Sequence, residues 1–88
     1  MNTNRTDIFI PLIQNLDDQI AGAFQMNDLE AAKGFISYAA GIVTTLIDDE
    51  DEMRKFYASL LDLPSLNDPL SIQGAASFVM TRFWSLNN

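Results

Sequence analysis

The chain has 88 residues, twelve acids against five bases for a net charge of −7, and neither His nor Cys. That length makes one domain with a modest core, and 48% apolar residues exclude a wholly disordered chain. The missing Cys excludes a disulfide framework and thiolate chemistry, and the missing His removes the commonest general base and metal ligand.

The charge is spread evenly, at −3 for residues 1–44 and −4 for residues 45–88. Phosphate binding is driven by Lys and Arg, so nucleic acid and anionic membranes are not expected as direct partners. The N-terminus does not read as a secretory signal: Arg5 is its only base, and the apolar run Ile8–Ile13 is short and holds Pro11. A cytoplasmic location is the expectation.

Residues Met1 to Thr6 are polar and expected to fray. A first helix follows, to about Gln25, with Phe9, Ile13, Leu16, Ile20 and Phe24 on one face. Pro11 is tolerated only near a helix start, so the helix begins either at Asp7 or at Ile10, with the second preferred. Asp17 and Asp18 are expected to face solvent, opposite the apolar row. A very short link around Met26 and Asn27 then implies an antiparallel hairpin of helices.

The second helix, over about 28–47, is expected to be central. Asn27 is read as its cap, and Asp28 and Glu30 place negative charge at the positive end of its dipole. Leu29, Ala32, Ile36, Ala39, Val43 and Leu46 recur at 3,4 spacing, with Ala31, Phe35, Tyr38 and Ile42 as a second row beside them. The polar remainder, including Lys33, is narrow, so burial on most sides is predicted. It is not a membrane span, because the uncharged run Gly34–Ile47 has 14 residues and a span needs about 20. Gly34 and Gly41 share a side, either for close approach of a neighbour or as tolerated glycines on an exposed stripe.

Five consecutive acids, Asp48 to Glu52, come next. Acids are unfavourable at a helix C-terminus and favourable at an N-terminus. The preferred reading is a break, with Asp49 capping a third helix over about 50–62 and Glu52 at its third position. One continuous helix from Asp28 to Asp62 would be roughly 50 Å long at about 1.5 Å per residue and would favour a coiled-coil-like dimer. As a calcium loop the run fails, since the Gly and Glu an EF-hand requires are replaced by Met53 and Ser59. In the third helix Met53, Phe56, Tyr57, Leu60 and Leu61 are predicted to face inward, and Lys55 to pair with Asp51.

Pro64 to Pro69 is read as a loop. Asp68-Pro69 is a strong helix start, a capping acid followed by Pro at the first helical position. The fourth helix runs to about Leu86 with Ile72, Ala75, Ala76, Val79, Phe83 and Leu86 as its core row. Phe78, Met80 and Trp84 fall outside that row, which makes them candidate partner-binding residues.

No glycine-rich phosphate loop or serine nucleophile with an identifiable base is present. Neither catalytic, cofactor-binding nor metal-binding residues are assigned. The fold class expected is all-α, an antiparallel bundle of four helices in a single domain over 1–88. The function expected is a non-enzymatic protein-binding module, a small regulator, inhibitor or immunity-type factor that occludes or bridges a protein partner. Its binding residues are Met80, Trp84 and Phe78, with Asp48, Asp49 and Asp51 steering a basic partner. The alternatives are a self-associating subunit, for which a homodimer is expected, and a carrier of an apolar ligand.

Overall fold

A computed structural model describes residues 5–87. Four α-helices carry the chain: α1 Ile10–Gln25, α2 Leu29–Leu46, α3 Glu50–Ala58 and α4 Pro69–Leu86, with short 3-10 turns at Asp7–Phe9 and Leu63–Ser65. The described residues contain no strand. The class is the all-α bundle that the helical periodicities predict, and α2 packs against both α1 and α4.

Three of the four helices start at an aspartate whose carboxylate accepts from a first-turn N–H. Helix α1 begins at Ile10 with Pro11 in its first turn, where a missing N–H is harmless. Asp28, not Asn27, caps α2, its carboxylate accepting from the Ala31 N–H at 3.1 Å. Asn27 ends the previous helix instead. It sits at φ 55°, a left-handed conformation that Asn tolerates better than most residues. There the Asp28 N–H donates to the Ala23 carbonyl at 2.8 Å and the Asn27 N–H to that of Phe24 at 3.0 Å. This paired closure turns the chain back in three residues.

The acid run breaks the chain as expected. Ile47 and Asp49 are extended, and the Asp49 carboxylate accepts from the N–H groups of Asp51 and Glu52 at 2.8 and 3.2 Å. Lys55 pairs with Asp51 at 3.6 Å. Helix α3, however, ends at Ala58 rather than near Asp62. The Ser59 hydroxyl donates to the Lys55 carbonyl at 3.0 Å, and a series of tighter turns leads to Leu63, which is buried. Of the predicted inward row of α3, Phe56 alone is buried; Met53 and Leu60 are partly so, and Tyr57 and Leu61 are exposed. A nine-residue helix makes too few turns to present that whole row to a neighbour.

The core is built on α2. Ala32, Ile36, Ala39 and Val43 have no exposed surface, and Ile13, Leu16, Ile20 and Ala23 of α1 and Ile72, Val79 and Phe83 of α4 close over them. One side of α2 stays open, contrary to the expected burial on most sides. Gly34, Ser37, Tyr38, Gly41 and Thr45 are exposed. A Cβ at either glycine would meet nothing within 4 Å, so no helix of the chain approaches there.

Two polar anchors contradict the sequence reading. Lys33, expected on the solvent stripe, is 8% exposed. Its ammonium donates to the carbonyls of Pro64 and Leu66 at 3.0 and 2.9 Å and meets Glu30 at 2.7 Å. Three acceptors satisfy the three N–H bonds of a buried lysine. Arg5 and Thr6, expected to fray, are held. Arg5 donates to the Leu46 carbonyl and pairs with Asp48, both at 2.8 Å. Thr6 is buried and receives a hydrogen bond from the Asn87 amide, which also reaches Asp7. Met1 to Asn4 lie outside the described residues.

Replacing Lys33 by Met keeps the apolar stem but leaves two loop carbonyls without their donor. We expect a loss of about 2 kcal/mol in chemical denaturation, with helix content retained.

Asp68 caps α4 and accepts from both the hydroxyl and the N–H of Ser71, at 2.8 and 2.9 Å. The Ser71 side-chain bond first, then the backbone bond, hold the Asp68 carboxyl below its ordinary pKa. A depressed folded-state pKa gives stability that is present above the unfolded value, near 3.9, and is lost as pH falls through the folded value. Asp68→Asn keeps a capping oxygen without the charge. Its stability should therefore decline less than the parent's as pH drops below about 4, which acid titration of the unfolding midpoint measures.

Candidate functional site

The predicted binding residues separate into three places. Met80 and Trp84 lie one turn apart on α4 and line one shallow cleft of about 520 Å³, with Ala76, Ser77 and Thr81 beside them and Asp17 of α1 across from them. Trp84 is 40% exposed and meets the buried Phe83 ring edge-on, centroids 5.0 Å apart at 83°. That contact props the indole at the surface. Met80 is half-buried. The cleft thus has an aromatic wall, a polarisable thioether, a floor of small residues and one carboxylate.

Phe78 does not belong to this surface. It points toward α3 and stacks on Phe56, centroids 5.3 Å apart and 15° from parallel. Its residual exposure faces recesses shared with Arg82. Two residues along a helix turn through about 200°, so Phe78 and Met80 could not share a face. Phe78 seats α3 on α4, with help from an Arg82–Glu52 ion pair at 3.4 Å.

The acid run lies at the α2–α3 joint, and each of its members has a task there. Asp48 pairs with Arg5, Glu50 with Arg54 at 2.6 Å, Asp51 with Lys55 and Glu52 with Arg82, while Asp49 caps α3. With Lys33 on Glu30, all five bases of the chain are matched to five different acids. Seven acids remain, the number that sets the net charge. Asp28, Asp49 and Asp68 cap helices, and Asp7 accepts from Asn87. Among the described residues, Asp17, Asp18 and Asp62 have neither an ion pair nor a capping role for their carboxylates. The free charge near a candidate surface is therefore on α1, not in the acid run.

Asp17, expected to face solvent opposite the apolar row, is exposed but lies beside that row rather than opposite it. The sequence holds a signal for this: Asp17 follows Ile13 by four residues and precedes Ile20 by three, so it borders the buried row. Only the packing of α4 beside α1 brings it to the cleft that Met80 and Trp84 line.

A second recess of about 280 Å³ runs between α2 and the α3 region, with Ala40 and Gly41 on one side and Tyr57, Leu60 and Leu61 on the other. No charged residue lines it, and Thr44 turns its hydroxyl to the carbonyls of Ala40 and Gly41. It offers area but little to orient an occupant.

Among the described residues no helix is long and apolar enough to cross a membrane, and no three carboxylates converge as a metal site would require. Comparison of the chain with family models, with curated proteins and with solved structures finds no match.

If the acid run acts in the joint as described, its members differ in weight. Asp49→Ala should cost about 1 kcal/mol through loss of the cap. Asp51→Asn, which removes an exposed ion pair, should cost no more than about 0.5 kcal/mol. Thermal unfolding of the two variants compares them directly.

Proposed function

We propose that the chain is a non-enzymatic protein-binding module, a small acidic regulator or inhibitor that acts by occluding or bridging a protein partner. Docking is through the α1–α4 cleft. The observation that carries this reading is the half-exposed Trp84 beside Met80, propped by the core residue Phe83. Tryptophan is enriched at binding hot spots, and methionine adapts its shape to a partner. A composition with neither His nor Cys supports binding over catalysis, and a cytoplasmic setting fits the lack of cysteine.

A self-associating subunit is the alternative. The matched bases weigh against self-association at this cleft, because a second copy would have to give up an existing ion pair to bring a Lys or Arg to Asp17. A carrier of an apolar ligand would use the recess between α2 and α3, where no charged group is present to orient a headgroup.

The test compares capture from source-cell lysate by the parent and by a Met80→Ala, Trp84→Ala variant whose helical circular dichroism is unchanged. A protein retained by the parent and lost by the variant is the expected result. Equal retention by both would remove the cleft as the docking surface, and a dimeric mass in solution with no captured partner would favour self-association.

A further inference from the structure

We propose that the α1–α4 cleft recognises an arginine side chain displayed among apolar residues on a basic segment of the partner. The inference rests on the reading of that cleft as a protein-docking surface and names the chemistry it selects.

Three observations meet at this place. Asp17 lines the cleft with Trp84 and Met80. Its carboxylate is exposed and has no cation of the described chain within ion-pair distance, although every Lys and Arg of the chain is committed to another acid. The next residue, Asp18, is likewise exposed and without an ion pair, and lies one residue along α1 from the cleft. A cleft that joins a partly exposed indole to an unmatched carboxylate is complementary to a cation with an apolar stem.

Arginine fits better than lysine. The planar guanidinium can stack on an aromatic ring and donate two parallel N–H bonds to one carboxylate, and it is more weakly hydrated than an ammonium ion. Its methylene stem would lie along Met80 and Ala76, where apolar contact favours burial. Other occupants lack a counterpart for Asp17. A second copy holds its own cations in pairs, and nucleic acids or anionic lipid surfaces would be repelled by the same carboxylates.

Trp84 is the only tryptophan in the chain, so its emission reports on the cleft directly. The 88-residue chain is titrated with a short arginine–leucine peptide, its lysine version and its citrulline version, the last an uncharged analogue of arginine. The expected result is a saturable change with the arginine peptide that weakens as salt is raised, a weaker response to lysine and none to citrulline. Asp17→Asn should weaken arginine-peptide binding about tenfold. Asp62→Asn, an equal change of net charge at a residue that does not line the cleft, should alter it less than about twofold at moderate salt.

Equal binding of the citrulline or lysine peptide overturns the proposal, as does equal loss in the Asp17 and Asp62 variants or no saturable change with arginine. Should the arginine peptide fail while the Met80→Ala, Trp84→Ala variant still loses a captured partner, the arginine reading falls and the docking surface stands. Should both fail, both readings fall.

Discussion

The fold depends on one strip of α2 from which water is fully excluded. Ala32, Ile36, Ala39 and Val43 have no exposed surface, and alternating alanines with larger residues lets α1 and α4 both pack against the same helix. The two neighbours bury Ile13 and Phe83 completely from opposite ends of the chain. In a domain this small, the apolar area that one helix can bury is limited. The other devices of the structure serve to bring two helices onto that strip and hold them there.

Polar groups supply the holding. The buried Lys33 fixes the segment after α3 to α2, so that α4 starts its return in a defined place. Arg5 closes the C-terminal carbonyl of α2, and Asn87 joins the end of α4 to the start of the chain. Four of the five bases are matched to acids of the single run between α2 and α3. Those pairs are mostly exposed, and each is weak by itself. Their joint effect is to neutralise locally a run that would otherwise repel itself at a helix junction.

This use of the bases decides which acids remain free. A positively charged partner meets little uncompensated charge at the α2–α3 joint, however acidic that stretch looks in the sequence. It meets more at Asp17, which shares a cleft with Met80 and Trp84. Apolar contact and unmatched charge therefore coincide at the cleft that holds Trp84, whereas no charged residue lines the recess beside Gly41. Specific recognition needs both area and a group that rejects the wrong partner. For that reason the functional reading follows the cleft.

The helices, their main core rows and the principal breaks were legible in the order of residues alone, because periodicity, capping acids and prolines act within a few residues. Asp49, Asp68 and Pro11 behave as their local chemistry requires, and Ile72, Val79 and Phe83 are buried as their spacing implies. The order of residues also put Met80 and Trp84 on a shared side. Tertiary structure alone decided that Lys33 is buried, that Tyr57 and Leu61 remain outside, and that Phe78 serves α3. It alone used the acid run as fasteners and placed Asp17 on the cleft that Met80 and Trp84 line. The physical reason is range: a cap or a helical face is set by neighbours one turn away. The burial of a lysine, the pairing of a carboxylate and the walls of a cleft depend on groups tens of residues distant, placed only when the helices pack.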